Sequence, residues 1–409
     1  MTALITAIFA ATYAGMALGR VPGLTIDRTG IALVAAVILA ASGAIAPDGI
    51  AGAIHFPTLL LLGGLMIVSG RVRAAGIYDA VAARIAERAG EPRVLLAATI
   101  AAGGLLSAVL VNDVVVFALT PLICRGLAAR GVDPRPHLFG LAAASNAGSA
   151  ATLIGNPQNI MIGQVGRLHF LDYTLAAALP ALGGLAIAYL VIARVWRDAL
   201  DRPAGPPADT SPPVHDRRGA MLCAAALMVL LALFLTPLPR ELSALIVAAV
   251  LLVSRGVESR RLIGEIDLPL IILFASLFVV NASFAATGIP LDALRALEGW
   301  GLLPERLSLL APLALAASNT IGNVPAVVMI LEIWRGIPTG TLIGLAVLST
   351  LAGNLLLVGS FANLIVAEQA AVCGVRLGFA DHARAGIPVT LLSMGLACVW
   401  LWATGYMAM

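Results

Sequence analysis

The stretch SNAGSAATLIGNPQNI, residues 145–160, decides how the rest of the chain must be read. It holds four amide side chains, two serines, a threonine, two glycines and a proline, yet it lies inside one of the most apolar regions of the sequence. A lipid-facing helix has no use for that set. Pro157 lacks the N–H that a helix interior needs, and Gly155 relieves the steric limits on the backbone beside it. A break is therefore expected near Gly155-Asn156-Pro157. Irregular backbone at membrane depth is tolerated only where it is buried in protein or lines a cavity.

The surroundings establish that depth. Of 409 residues, 60% are apolar and 11% charged, and the mean hydropathy is +0.99. Soluble domains are nearer half apolar and a quarter charged, so the chain reads as an all-α polytopic membrane protein. Spans are expected at about 3–19, 29–46, 52–70, 138–166 and 174–195, then at 219–236, 240–254, 268–286, 340–368 and 386–405. The first has no basic leading region and reads as a retained helix, not a signal peptide. Cys124, Cys223, Cys373 and Cys398 show no CxxC spacing, so neither a disulfide framework nor a metal site is indicated. The net charge of +3 says nothing of nucleic acid, and none is expected as a partner.

Two further apolar stretches, 94–124 and 307–334, have polar centres, VND at 111–113 and SNTIGN at 318–323. They read either as helical hairpins that re-enter the membrane, giving five crossings per half, or as stretches that cross it twice, giving seven. The chain divides into a first transmembrane repeat at 1–197, a Pro- and Arg-rich linker at 198–218 and a second repeat at 219–409. Each half has three spans, a short amphipathic segment (73–90 or 290–299), a polar-centred stretch, a long interrupted span and a final span. Ser145, Gly155 and Asn159 recur as Ser349, Gly359 and Asn363, each pair 204 residues apart; Ser107 and Asn112 recur as Ser318 and Asn323, 211 apart. An odd number of crossings per half makes the second half inverted, as in many secondary transporters.

The arginines agree with that reading. All 25 basic residues are arginine; Arg167, Arg240, Arg295, Arg306 and Arg335 fall on one side and the other twenty on the opposite side. The positive-inside rule makes the rich side cytoplasmic, with both termini periplasmic and the linker inside, in a bacterial inner membrane.

The second break is expected around Gly359-Ser360. Half-helix N-termini offer N–H groups and a partial positive charge to an anion, while freed carbonyls suit a cation. The residues expected to converge near the midplane are Asn112, Asp113, Ser145, Asn146, Ser149, Thr152, Gly155, Asn156 and Asn159. From the second half come Ser318, Asn319, Thr320, Asn323, Ser349, Thr350, Asn354, Gly359, Ser360 and Asn363. No arginine lies within these cores, so an anion there would meet hydroxyls, amides and backbone dipoles without a fixed counter-charge. Asp113 is the one acidic residue at a hairpin tip; Val324 holds the equivalent place. A carboxylate at this depth is costly and marks a cation or proton site, or else caps a half-helix. Glu332 and Glu368 read as interfacial. His55, His137, His169, His215 and His382 fall in loops or at span ends and read as surface residues.

Together NDVVVFALTP, SNAGSAATLIGNPQNI, SNTIGNVPAVVMI and STLAGNLLLVGSFANLIVAE resemble the ion transporter superfamily. It holds arsenite-efflux permeases, NhaD-type sodium/proton antiporters, plant silicon-efflux proteins and divalent-anion/sodium symporters; the chain is most similar to YbiR-type anion permeases. The resemblance implies inverted repeats with two re-entrant hairpins, a homodimer in membrane lipid, and an elevator-like moving domain. It also implies a sodium site near hairpin Ser-Asn-Thr motifs, here Asn112, Asp113, Ser318, Asn319 and Thr320. The first tip reads Val111-Asn112-Asp113 in place of that motif, which fits proton coupling or a single cation.

The expected function is secondary transport of a small inorganic anion or oxyanion, driven by H⁺ or Na⁺, with no other cofactor. A sodium/proton antiporter and a sodium-coupled dicarboxylate or sulfate symporter are the alternatives. No HExxH, GxSxG or GxxxxGK[ST] pattern occurs, so neither an intramembrane hydrolase nor an ATPase is indicated.

Overall fold

In the computed structural model, residues 1–18, 25–87, 91–202 and 216–409 are described, with side chains at 86 and 87 left aside. Arg20, Arg88, His215 and most of the linker expected at 198–218 lie outside them.

The chain is a bundle of helices. First come α1 (Thr2–Leu18), α2 (Arg28–Ala41), the short α3 (Pro47–Ala53), α4 (Phe56–Ala74) and α5 (Ile77–Glu87). Then come α6 (Pro92–Val109), α7 (Asn112–Ala128), α8 (Arg135–Ser149), α9 (Pro157–Val165), α10 (Phe170–Val195) and α11 (Arg197–Leu200). Beyond the linker are α12 (Arg217–Phe234), α13 (Arg240–Val253), α14 (Ser259–Ile263), α15 (Leu268–Ala285) and α16 (Ile289–Gly299). The chain finishes with α17 (Leu307–Thr320), α18 (Asn323–Ile333), α19 (Thr339–Ala352), a 3₁₀ turn at Leu357–Gly359, α20 (Phe361–Val372) and α21 (Phe379–Ala403). Every expected span and both amphipathic segments have a helix in place.

Among the described residues, six helices are long and apolar enough to cross a membrane alone: α4, α6, α10, α12, α15 and α21. The helices around the two breaks are not. At 1.5 Å per residue, the 15 residues of α8 and the 9 of α9 rise only about 22 and 14 Å. Their counterparts α19 and α20 have 14 and 12 residues. Each interrupted span therefore crosses only as a pair of half-helices. Its ends leave backbone groups that the protein must satisfy.

Local chemistry sets several helix starts. Proline occupies the first turn of α4, α6, α8, α9 and α15, where its missing N–H has no helical partner to lose. His55 caps α4 by accepting from Thr58 N–H, and Asp267 caps α15 by accepting from Leu270 N–H. The backbone turns at Leu110-Val111 between α6 and α7, and at Ile321-Gly322 between α17 and α18; Gly322 has a φ of 95°.

The half-helices form the centre. Every residue of α8 from Pro136 to Ser149 is buried, as is α19 from Thr341 to Ala352. Around them, α6 packs on α8, α17 on α19, α7 on α20 and α9 on α18, while α10 and α21 pack together. Helices α4 with α13, and α2 with α15, form the flank. The approach of α6 to α8 is backbone on backbone: a Cβ at Gly148 would stand 2.1 Å from the Gly104 carbonyl oxygen. Close approach of this kind is the usual use of small residues between membrane helices.

Candidate functional site

The first break runs from Ala150 to Asn156, between α8 and α9. Asn156 caps α9, its Oδ1 accepting from Asn159 N–H at 2.8 Å, and Pro157 takes the position after the cap. Gly155 sits where no side chain fits: a Cβ would lie 2.4 Å from Ser149 O and 2.7 Å from Ser107 O. Its carbonyl accepts from Asn112 N–H at 2.9 Å, which holds the α6–α7 turn against the break. The second break runs from Gly353 to Ser360 and contains the 3₁₀ turn.

Each break is closed by one asparagine. Asn159 Nδ2 donates to the carbonyls of Ser149 (3.2 Å) and Thr152 (3.1 Å). Asn363 Nδ2 donates to those of Gly353 (2.8 Å) and Leu356 (3.2 Å). The Leu356 carbonyl also accepts from Gly359 N–H in the 3₁₀ turn; the other three are carbonyls that the interrupted helix leaves without backbone partners. An unpaired amide group in an apolar interior costs about 1–3 kcal/mol by mutational measures, so both asparagines are structural as well as polar.

The breaks also bond to each other, and the pattern is reciprocal. Asn146 on α8 donates to Asn363 Oδ1 at 3.1 Å, and Thr350 on α19 donates to Asn159 Oδ1 at 3.3 Å. Ser360 donates to Asn146 Oδ1 at 2.9 Å, and Asn156 donates to Thr350 Oγ1 at 3.2 Å. In every case the second bond is the first with both residues replaced by those 204 positions away. Further bonds join Asn146 to Asn354 (2.8 Å), Asn156 to Ser149 (2.9 Å) and Gln158 to Thr350 (3.3 Å). The network is buried and carries no charged side chain.

The turns before α7 and α18 lie on the breaks. Ser107 donates to Ser145 Oγ at 3.3 Å, and Thr152 to Ala108 O at 2.7 Å. On the other side Ser318 donates to Ser349 O at 3.3 Å, and Asn319 to Ala352 O at 2.9 Å while accepting from Leu356 N–H. Gly359 packs beside the Asn319 side chain. Asn112 Oδ1 and Ser349 Oγ are buried with no partner. Asn323 Oδ1 accepts from Val324 N–H. Thr320 stands apart: it is exposed and its hydroxyl bonds the Ala316 carbonyl of its own helix.

Asp113 is half-buried in the first turn of α7, and its side chain makes no hydrogen bond or ion pair with the described residues. The cap position of α7 belongs to Val111, and no side chain caps it. Asp267, the α15 cap, acts on Asp113 through space. The alternative reading of Asp113 as a helix cap is therefore not met.

Two surface readings are corrected. His137 is fully buried in α8 with Nε2 3.2 Å from Pro92 O, because α6 covers the start of α8. His382 is buried under α8, with Nε2 3.0 Å from Asn354 O, so it serves the second break directly. Tyr173 is a third residue whose role has no sequence signal: its hydroxyl accepts from Asn159 Nδ2 at 3.0 Å and donates to Ala150 O at 2.8 Å. Gln158 lies inside the quoted motif, and its amide was the available signal.

Residues 7–338 match the model of the family described as citrate transporter. The chain belongs to the citrate transporter family. Among its relatives, an uncharacterized transporter of Mycobacterium tuberculosis is 28% identical over 98% of both chains. A silicon efflux transporter of Oryza sativa is 27% identical over 91% of this chain and 92% of its own. The inner membrane protein YbiR of Escherichia coli is 29% identical over 80% and 82%. Among solved structures, the YdaH transporter of Alcanivorax borkumensis, described as having an unusual topology, superposes with a TM-score of 0.57 over 99% of this chain and 98% of its own, at 15% identity. The protein is a multi-pass membrane transporter, not an enzyme.

Proposed function

We propose that the protein is a secondary transporter of a small inorganic anion or weak-acid oxyanion, working by alternating access around the two breaks. The observation that carries this is the reciprocal exchange: Asn146 with Asn363, and Thr350 with Asn159. Contacts that repeat with the partners exchanged are what a twofold axis produces. Together with the arginine bias, they support two inverted halves, 1–197 and 219–409, with both termini periplasmic in a bacterial inner membrane. A site of this kind, near the midplane between half-helices, is where inverted-repeat transporters bind. Its amides, hydroxyls and backbone N–H groups suit an oxyanion and hold it without a counter-charge, so release stays fast. An elevator-like movement of the broken helices in a homodimer fits the α4/α13 and α2/α15 flank as scaffold.

Asp113 is the proposed coupling residue. A carboxylate with no protein partner at this depth favours taking up a proton or Na⁺. The same observation favours the second reading, a sodium/proton antiporter, in which Asp113 acts with no anion bound.

Reconstitution into liposomes tests both. Uptake or efflux of arsenite, silicate or citrate, driven by a pH or Na⁺ gradient, is expected for the wild type and lost in Asp113→Asn. Full activity in that variant removes Asp113 from the mechanism. Na⁺/H⁺ exchange with none of the anions moved would establish the antiporter.

A further inference from the structure

A second place on the molecule combines space with uncommitted charge. A cavity of about 440 Å³ opens between the α2–α4 connection and the far ends of α15 and α18. Small residues such as Gly49 and Gly52 line part of it; the polar groups on its wall are His55, Ser283, Glu332 and Arg335. A water takes about 30 Å³, so a tetrahedral oxyanion fits with several waters.

The two charged groups act on each other through space but are not bonded together. Glu332 and Arg335 sit three residues apart, yet no hydrogen bond or ion pair joins them. Thr58 engages His55 Nδ1, with its hydroxyl at 2.8 Å and its N–H at 3.3 Å, and Nε2 has no partner among the described residues. Ser283 Oγ donates to Val279 O at 2.8 Å and retains its acceptor lone pairs for a hydroxyl.

We propose that this cavity is an outer docking site for protonated oxyanions, ligands that carry both a charged oxygen and an O–H. Arg335 and the His55 Nε2–H donate to the charged oxygens, and Glu332 accepts the ligand's O–H. A fully deprotonated oxyanion brings no proton for Glu332 and is repelled by it, so one carboxylate supplies selectivity by rejection. The inference rests on the oxyanion reading and narrows it to weak acids, delivered from the arginine-poor side.

Inorganic phosphate and sulfate separate the chemistry, since phosphate keeps an O–H at neutral pH and sulfate does not. Glycine serves as the zwitterionic comparator. Calorimetric titration of the full wild-type chain in detergent, repeated in Arg335→Gln and in Glu332→Gln, separates this cavity from the central network, which contains neither residue. Phosphate is expected to bind at least tenfold tighter than sulfate or glycine. Arg335→Gln should weaken phosphate by about tenfold or more, the effect of losing a charge-assisted hydrogen bond. Glu332→Gln should bring sulfate up to the level of phosphate. Absent phosphate binding, an unchanged titration in Arg335→Gln, or sulfate or glycine matching phosphate overturns the proposal. Because no transport is measured, that failure leaves the central-site reading standing; conversely, phosphate bound here with all transport absent overturns only the transport reading.

Discussion

The two breaks follow one hydrogen-bonding scheme and differ in how tightly they are held. Residues 152–156 of the first are all buried, whereas Leu355–Val358 of the second are only half-buried. Asn159 has Tyr173 as an added partner; the residue 204 positions after Tyr173 is Leu377, which makes no such bond. Gly148 touches the α6 backbone, while its counterpart is Ala352, a residue with a Cβ. At the turns, Asp113 stands against Val324. The shared features position the backbone. The unshared ones carry stability on one side and, through Asp113, ionisable chemistry on the same side.

Substitutions sharpen or break this contrast. The largest effect is expected from Gly148→Ala, which drives a Cβ into Gly104; overpacking of this kind costs ~3 kcal/mol or more, and the detergent-solubilised protein should lose most of its thermal stability. Ala352→Gly at the counterpart should cost about 1 kcal/mol. Equal effects at the two positions would remove the claim that the first break is the tighter.

Next in size are the two asparagines. Asn159→Ala orphans two break carbonyls and should cost about 2–4 kcal/mol, whereas Asn363→Ala orphans one, since Leu356 O keeps Gly359 N–H, and should cost about 1–3 kcal/mol, both measured by denaturant unfolding. The first should exceed the second by about 1–2 kcal/mol, from the Tyr173 bond and the second orphaned carbonyl. Tyr173→Phe isolates that share: about 1 kcal/mol alone, and a smaller further loss when added to Asn159→Ala, since the two residues touch. Smallest is Asp113→Asn, expected within about 0.5 kcal/mol of wild type in stability because no bond is lost. A large stability loss there would make Asp113 a structural residue.

Much of this was legible before any coordinates. Pro157 and Gly155 announce the first break because a helix interior rejects the one and has no need of the other. The 204-residue recurrence of Ser, Gly and Asn marks the second break, which lacks a proline. Two kinds of information were not in the pattern. Burial of His137 and His382 depends on which helix covers α8, and apolar periodicity is silent on that in a chain apolar on every face. The bond from Tyr173 to Asn159 joins α10 to the break, and a tyrosine near a span end looks the same whether it faces lipid headgroups or the core. Thr320 shows the opposite case: it belongs to a polar motif, yet the turn geometry points it outward to its own helix carbonyls.

The most direct test of the central claim is a pair of double-mutant cycles on unfolding free energy. Asn146→Ala with Asn363→Ala, and Thr350→Ala with Asn159→Ala, should each show a coupling of about 0.5–3 kcal/mol, while Asn146→Ala with Asn159→Ala, which share no bond, should add within about 0.5 kcal/mol. Coupling in both reciprocal pairs and additivity in the control is the result this account predicts. Additivity in both reciprocal pairs would mean that the two breaks do not hold each other, and the single shared site would fall with them.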